Sequence, residues 1–391
     1  MPHTIQLPLE DGRIIHYTLG EPRDFGKASR RFTSRIGFAA AHVVALSSLE
    51  GRGLEGESRG IDWDATLAYR RHLWSHGFAV AEAMDTSQRG MGLDWPLAQE
   101  LIRRSVAEAK AEGAVVASGA GTDHLAPNQN HSIDAVIAAY EEQVGYVEGL
   151  GGRVILMASR ALAACARGPD DYARVYRRVL SQVRQPVIIH WLGDMFDPKL
   201  AGYWGSRNLD EATETCLAVL RESAGKIDGI KISLLDDRRE IALRRRLPPG
   251  LRMYTGDDFN YPALILGDAH GYSDALLGIF DAIAPAAAAA FVALDAGDVQ
   301  TYNDVLAPTV ALSRHIFQTP TYYYKTGITF LAYLNGHQSH FKMLGGQETA
   351  RSAQHLAQLF MLADRAGLLR DPARAVQRMK AYLEEGHHPA A

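Results

Sequence analysis

The stretch that decides the fold runs from Pro186 to Ser233. It begins with the apolar run PVIIHW at Pro186–Trp191 and ends with the run GIKIS at Gly229–Ser233, and an amphipathic segment at Leu209–Ser223 lies between them. Short apolar runs on either side of a helix are typical of a unit in which a crossover helix joins two parallel strands. The same pattern repeats on both sides of this stretch.

Eight short apolar runs alternate with helical segments between about residues 35 and 300. The predicted strands are Ile36–Ala45, Ala79–Met84, Ala114–Ser118, Val154–Ala158, Pro186–Trp191, Gly229–Ser233, Arg252–Thr255 and His270–Ala275. The predicted helices are Asp62–Ser75, Trp95–Glu112, Ser132–Leu150, Pro169–Val183, Leu209–Ser223, Asp236–Arg246 and Tyr261–Leu266. Eight strands separated by helices favour an α/β fold, a closed (β/α)8 TIM barrel.

Two extensions flank the predicted barrel. Alternating residues at Thr4–Leu7 and Ile14–Tyr17 surround Asp11-Gly12, a favoured two-residue turn, and predict an N-terminal hairpin. Residues 279–386 are mostly helical and provide more helices than barrel closure needs. We therefore divide the chain into a hairpin extension at 1–34, a catalytic barrel at 35–297 and a C-terminal helical extension at 298–391.

The composition argues against several classes of partner. Of 391 residues, 41 are Lys or Arg and 45 are Asp or Glu, so the formal net charge is −4 and gives no reason to expect nucleic-acid binding. Two cysteines, Cys165 and Cys216, cannot build a disulfide framework, and no apolar run has the length of a membrane span. We expect a cytoplasmic protein that acts on a small molecule, without a nucleic-acid or membrane partner.

Polar residues follow the predicted strands. In an α/β barrel the chemistry is built at the carboxyl ends of the strands, so these residues are the candidates for a site. They are Asp85-Thr86-Ser87, Gly119–His124, Ser159-Arg160, His190, Lys231 and Gly256-Asp257-Asp258.

Lys231 is the strongest candidate for a catalytic residue. Ile230 and Ile232 point to one side of the strand and Lys231 to the other, so Lys231 faces the barrel interior if the isoleucines face the helices. Burial lowers the pKa of an amine, and a neutral amine can attack a carbonyl to form a Schiff base. The alternative is a structural lysine that pairs with a carboxylate such as Asp257.

His190 and the hydroxyl pair Thr86-Ser87 allow both functional and structural interpretations. His190 could be a general acid/base, a metal ligand or a hydrogen-bonded histidine in the barrel mouth. Thr86 and Ser87 could hold a substrate carboxylate, or they could cap the following helix.

A divalent metal site is the second interpretation of the polar residues at the barrel mouth. Oxygen and imidazole ligands for a divalent ion could come from Glu82, Asp85, Asp123, His124, His190, Asp257 and Asp258. His337 and His340 have helical ligand spacing but lack the glutamate of a zinc-protease motif. Gly119-Ala120-Gly121 lacks the third glycine of a dinucleotide loop, because His124 stands there.

The order of the motifs resembles that of the dihydrodipicolinate synthase and N-acetylneuraminate lyase superfamily of class I aldolases. The resemblance covers roughly residues 35–300. The family's motifs are matched, in order, by Asp85–Leu93, Gly119–Gly121, Pro186–Gly193, Gly229-Ile230-Lys231 and Thr255–Asp258. The resemblance implies that Lys231 is the Schiff-base lysine of the family's Gly-Ile-Lys motif.

The sequence departs from the family at several functional positions. His190 replaces the catalytic tyrosine of strand five, and Ser159-Arg160 stands where the family has the tyrosine of its proton relay. The arginine that follows strand five in the synthases is missing, and an insertion lies around Ala201–Leu209. The chain is therefore similar to a divergent, dihydrodipicolinate-synthase-like member of the superfamily and not to the synthase itself.

These observations favour a lyase or aldolase that acts on a keto acid or keto-sugar derivative through a Lys231 imine and needs no cofactor. We expect His190 to transfer protons and a homo-oligomer to form. The substrate-binding candidates are Thr86, Ser87, Gly121, Asp123, His124, Arg160 and Asp257. Their many hydrogen-bonding groups favour a polyol.

Two alternatives stay open. One is a barrel lyase, isomerase or hydrolase that uses a divalent metal on a sugar derivative, and the other is a non-catalytic sugar-binding barrel. The metal ligands would be Glu82, Asp85, Asp123, His190 and Asp257.

Overall fold

A closed barrel of eight parallel strands forms the centre of the computed structural model, which describes residues 3–26, 32–47, 60–127 and 129–386. An antiparallel hairpin of β1 (Thr4–Pro8) and β2 (Ile14–Thr18) precedes it. The barrel strands are β3 (Gly37–Ala40), β4 (Ala79–Glu82), β5 (Val116–Ala120), β6 (Arg153–Leu156), β7 (Val187–Leu192), β8 (Ile227–Ser233), β9 (Arg252–Thr255) and β10 (Asp274–Leu277). Each strand pairs with the next, and β10 pairs with β3, so the predicted α/β barrel is confirmed.

Helices follow the barrel strands and then continue into the C-terminal extension. Those within the barrel are α1 (Trp63–Ser75), α2 (Trp95–Ala111), α3 (Ile133–Gly149), α4 (Arg160–Cys165), α5 (Pro169–Gln182), α6 (Leu209–Glu222), α7 (Asp237–Arg244), α8 (Tyr261–Leu266) and α9 (Ile279–Asp295). The extension contains α10 (Val299–Ile316), α11 (Tyr324–Leu334), α12 (Ala353–Arg365) and α13 (Pro372–Glu384). In the ranges that the structure describes, no helix combines the length and apolar character that a membrane crossing requires.

Side-chain caps set the starts of several helices. The side chains of Asp62, Asp94, Ser132 and Asn208 each accept a hydrogen bond from a backbone N–H in the first turn. Such a bond satisfies a donor that has no partner within the helix. The observed start of α2 after Asp94, with Pro96 in its first turn, follows this rule.

Strand lengths depart from the predictions where side chains take over the backbone hydrogen bonds. β3 ends at Ala40 instead of Ala45 because the backbone N–H groups of His42 and Val44 donate to Asp281 and Thr66. β10 begins only at Asp274, since Asp268 and Gly271 form a tight turn before it.

The N-terminal and C-terminal extensions pack on each other. Ile5 and Leu7 of the hairpin are buried, and β1 contacts α12 and α13. The Tyr17 hydroxyl donates to Asp364 of α12 at 2.7 Å. One apolar core includes residues of the hairpin, the barrel and the C-terminal helices, and the division of the chain at residues 34 and 297 stays a prediction.

Candidate active site

Lys231 lies in the middle of β8 with its side chain inside the barrel. Ile230 and Ile232 belong to the apolar layer between strands and helices, whereas Ile155 and Ile188 pack in the barrel interior. Because side chains alternate along a strand, Lys231 faces inward with the interior set. Only 5% of Lys231 is exposed.

Gly256 makes room for the lysine. A Cβ atom at this position would lie 2.7 Å from Lys231 Cε and 2.3 Å from Ser233 Oγ, closer than a Cβ atom normally approaches a non-bonded atom. The backbone N–H of Gly256 extends the β8 pairing by donating to Ile232 at 2.8 Å. A glycine here therefore lets the next loop pass directly beside the lysine side chain.

Two carboxyl groups, those of the partly buried Asp85 and the buried Asp258, act electrostatically on Lys231. Burial lowers the pKa of Lys231, although the charges of Asp85 and Asp258 oppose this change. Burial raises the pKa of Asp258 to about 8, even though its carboxylate accepts a hydrogen bond from Ile279 at 2.9 Å. Burial would also raise the pKa of Asp85, but Lys325, Lys231 and His190 hold it below its ordinary value. Asp85 is therefore charged and Asp258 largely protonated near neutral pH.

His190 lies opposite Lys231 in the pairing of β7 with β8. It is 1% exposed, and its Nε2 lies 3.1 Å from Ser233 Oγ. Burial lowers its pKa well below the ordinary value, and the charge of Lys231 lowers it further. His190 is thus a neutral imidazole beside the amine.

Tyr324, at the start of α11, completes the barrel mouth and was missed by the sequence reasoning. Its hydroxyl donates to Asp85 at 2.7 Å and lies 2.7 Å from Thr86 Oγ1. The next residue, Lys325, is also buried and donates to the Tyr322 carbonyl at 3.0 Å. Burial lowers the pKa of Lys325 to about 8, against the charge of Asp85. In the sequence, the run of three tyrosines and a lysine at 322–325 marks this position, but the run lies outside the predicted barrel.

A cavity of about 550 Å³ opens at the carboxyl ends of β4 to β7. Asp85 and His190 lie on its wall nearest to Lys231, and Gly121, Asp123 and Arg160 line it farther out. The structure thus brings five of the candidate site residues to one cavity. Lys231 does not line it, but it is paired across two strands with His190, which does. The other substrate-binding candidates do not line this cavity: Thr86, Ser87, His124 and Asp257.

Ser87 and Asp257 serve local structure. The Ser87 hydroxyl donates to the Ala41 carbonyl at 2.6 Å, beyond the end of β3. The Asp257 carboxylate accepts the backbone N–H groups of Phe259 and Asn260 at 2.8 and 3.0 Å. The carboxyl groups that act on Lys231 are accordingly those of Asp85 and Asp258, and not that of Asp257.

Asp123 and His124 are held by side chains around them. Asp123 forms an ion pair with Arg89 and accepts a hydrogen bond from Gln143 at 3.0 Å. Burial would raise the Asp123 pKa, but Arg89 brings it down to about 2. His124 contacts Gln143 and, at 3.3 Å, the carboxylate of Glu142, so it turns towards α3. Gly121 donates its backbone N–H to Gln143 at 2.7 Å.

Arg160 lines the cavity as half of an ion pair. Its guanidinium bonds to the Asp197 carboxylate, which follows β7. A Cβ at Gly90 would lie 2.7 Å from the Arg160 guanidinium, so the β4 loop passes close to it. Both Asp–Arg pairs thus line the same cavity.

Three of the predicted alternative metal ligands, Glu82, Asp123 and Asp257, bind other groups of the protein. Glu82 points outward and binds Arg70 with two contacts of 2.8 Å, and both side chains are fully buried. Asp123 is paired with Arg89 and Asp257 caps a turn, so these groups are not directed at a common point. Within the described ranges, no group of three His, Cys, Asp or Glu side chains has the arrangement of a metal site.

The family comparison covers nearly the whole sequence. A family profile described as "Protein of unknown function (DUF993)" matches residues 5–386. The chain belongs to this family. No curated protein sequence matches it significantly.

Solved structures of dihydrodipicolinate synthases resemble this DUF993 protein. The synthase from Aquifex aeolicus is 13% identical with a TM-score of 0.64, and the match covers 85% of this chain and 98% of that one. The synthase from Thermotoga maritima is 13% identical with a TM-score of 0.63, and the match covers 86% of this chain and 100% of that one. The chloride-inhibited synthase from Acinetobacter baumannii, complexed with pyruvate, is 16% identical with a TM-score of 0.62. The match covers 86% of this chain and 100% of that one. The resemblance inferred from the five motifs is confirmed at the level of the fold.

Proposed function

We propose that this protein is a lyase that forms or cleaves a carbon–carbon bond, or eliminates water, through an imine between Lys231 and a keto compound. The observation that carries the proposal is the buried Lys231 amine, whose pKa is lowered by burial, opposite His190, which lines a cavity at the carboxyl ends of the barrel strands. The similar synthase structures support it, and the one solved with pyruvate suggests a 2-oxo acid as the first probe.

The reaction balances without a cofactor. The neutral Lys231 amine adds to the keto carbon, and water leaves as the C=N bond forms. A proton leaves the neighbouring carbon to give an enamine, whose carbon attacks an aldehyde carbonyl. The new C–C bond forms as the C=O π bond breaks, and the aldehyde oxygen takes a proton. Water then hydrolyses the imine and frees Lys231; cleavage is the reverse sequence.

The protonation states suit the neighbours of Lys231 to different tasks. Asp258 holds a proton near neutral pH, so it can give that proton to the hydroxyl that leaves as water during imine formation. The neutral imidazole of His190 can accept a proton from the carbon next to the imine. Asp85 stays ionised and stabilises the positive charge of the protonated imine.

Borohydride trapping tests the imine. The protein is incubated with pyruvate and, separately, with hydroxyacetone, and is then reduced with sodium borohydride and digested with trypsin. We expect the reduced mass of the keto compound on a peptide covering residues 227–238, because trypsin does not cleave after an alkylated Lys231. An adduct on residues 315–342 would instead identify Lys325 as the nucleophile and refute the Lys231 mechanism.

The Lys231→Arg variant is the matched control. Arginine keeps the positive charge but cannot lose its proton to become a nucleophile, so both the adduct and the turnover should disappear. A variant that stays active and loses activity to a chelator would favour the metal-dependent alternative. Absence of any turnover or adduct with keto compounds in the unaltered protein would favour the non-catalytic barrel.

Three further predictions accompany the proposal. We propose a cytoplasmic location, a homo-oligomeric assembly and a catalytic domain that spans residues 35–297. Size-exclusion chromatography with light scattering measures the assembly, and a monomer at all concentrations would contradict it.

A further inference from the structure

One part of the outer wall of the cavity is apolar, although Gln129, His131 and Lys199 also line this wall. The apolar side chains come from the end of β7 and from the connections that follow β5, β6 and β7. The apolar residues include Leu125, Pro127, Ala161, Ala164, Leu192 and Leu200. Ala161 and Ala164 lie three residues apart on α4 and so face the same side of that helix.

Four charged groups of the outer cavity are paired with one another, whereas the exposed Lys199 forms no ion pair with the described residues. Arg89 binds Asp123, and Arg160 binds Asp197. Asp123 has a further hydrogen-bond donor in Gln143 at 3.0 Å. A hydroxyl ligand would have to compete with these charge-assisted bonds, whereas an apolar group against the alanines and leucines would only displace water. The polyol expected from the residue types is therefore disfavoured by how those residues are bonded.

The size of the cavity supports the same conclusion. Its volume of about 550 Å³ lies within the range of about 300–1,000 Å³ that is typical of sites for drug-sized ligands. A three-carbon keto compound at Lys231 would leave the apolar wall exposed to water.

We propose that the substrate joins a keto group, which reacts with Lys231, to an apolar aliphatic or aromatic group, which packs against Leu125, Ala161, Ala164 and Leu192. This inference rests on the proposed imine chemistry. In the cleavage direction, the C3–C4 bond of a 4-hydroxy-2-oxo acid breaks, the C4 hydroxyl loses its proton to become an aldehyde, and C3 takes up a proton. The products are pyruvate and an apolar aldehyde, so no oxidant or cofactor is consumed.

Two substrates that differ only in the C4 substituent test the inference. One is 4-hydroxy-2-oxo-4-phenylbutanoate, which yields benzaldehyde, and the other is 4,5,6-trihydroxy-2-oxohexanoate, which yields glyceraldehyde; pyruvate release is measured for both. We expect kcat/KM to be at least about tenfold higher for the phenyl compound. Equal or better use of the trihydroxy compound would overturn the inference and leave the lyase proposal intact.

A charged side chain placed on the apolar wall of the cavity provides a second test. Ala164 is exposed within the cavity, so Ala164→Glu should fold normally and reduce the preference for the phenyl compound by about tenfold. Ala107→Glu, at an exposed position on the outer side of α2, adds the same charge away from the cavity and should leave the preference unchanged. An unchanged preference in Ala164→Glu would refute the apolar wall as its cause.

Binding separates this inference from the proposed function. The compound 2-oxo-4-phenylbutanoate lacks the C4 hydroxyl and cannot be cleaved, so calorimetry measures its affinity without turnover. If neither substrate is cleaved and no borohydride adduct forms, the lyase proposal fails. Tighter binding of 2-oxo-4-phenylbutanoate than of 4,5,6-trihydroxy-2-oxohexanoate, with the difference reduced in Ala164→Glu, would still support the apolar site. The opposite order of affinities would reject it.

Discussion

Two aspartates with opposite protonation states flank the same buried amine. Asp85 receives the hydroxyl of Tyr324 and the positive charge of two lysines, Lys231 and Lys325, which together outweigh the effect of its burial. Asp258 has one backbone donor, and burial dominates its pKa. A lysine between a charged and a protonated carboxyl group has a fixed counter-charge on one side and a proton donor on the other, which suits acid/base chemistry at an imine.

At the same scale, His190 provides a direct test of proton transfer. We expect His190→Phe to keep the fold and to lose turnover by about 10²-fold or more, because phenylalanine fills the space but carries no proton. Turnover is measured with the keto substrate that forms the adduct, and circular dichroism checks the fold. Activity within a few fold of the original would remove His190 from the mechanism.

Glu240 provides a test of stability against pH. It is buried and accepts hydrogen bonds from Thr255 at 2.9 Å and Ser273 at 2.7 Å, yet burial raises its pKa to about 8. The native state therefore binds a proton that the unfolded state has already released, so the free energy of unfolding falls as the pH rises from about 4 through about 8.

Glu240→Gln removes this proton uptake. Urea unfolding at about pH 6 and about pH 9 should show a larger loss of stability in the unaltered protein than in Glu240→Gln. Asp258 and the other titrating groups are common to both proteins, so they cancel in the comparison. Equal losses in the two proteins would contradict a raised pKa at Glu240.

At the scale of elements, α11 acts as part of the barrel mouth. All of its residues are buried, from Tyr324 to Leu334, which is unusual for a helix added outside a barrel. Its first turn carries the Tyr324 hydroxyl, which donates to Asp85, and the Lys325 amine, whose charge lowers the pKa of Asp85. The C-terminal extension therefore supplies polar groups that the barrel strands do not.

Tyr324→Phe tests this role. We expect kcat to fall by about tenfold and the acidic limb of its pH profile to move to higher pH, because Asp85 loses a hydrogen bond that favours its charged form. Tyr323→Phe, the neighbouring variant, should leave both unchanged. If Tyr324→Phe alters only the melting temperature, Tyr324 is a packing residue.

At the scale of the whole molecule, the N-terminal hairpin packs against the C-terminal helices α12 and α13. Leu7 is fully buried in the hairpin, whereas Ile14 on the opposite strand is 67% exposed. We expect Leu7→Ala to reduce the free energy of unfolding by about 2–4 kcal/mol and Ile14→Ala to have little effect. Denaturant unfolding measures both, and equal effects would show that the hairpin does not share the core of the C-terminal helices.

The sequence by itself determined the barrel and the inward orientation of Lys231. Both follow from local patterns: short apolar runs separated by helical segments, and the alternation of Ile230, Lys231 and Ile232 along one strand. The ends of the strands do not follow from the apolar runs, because at β3 and β10 side chains and a turn decide where pairing stops.

Only the tertiary structure decided the partners of the site residues. The choice of Asp258 over Asp257 depends on which carboxylate the following turn uses as its cap. The pairing of Arg160 with Asp197 joins two connections between strands, and Tyr324 enters from a helix far along the chain. Such contacts depend on how the loops and α11 pack in three dimensions, and periodicity within one element carries no information about them.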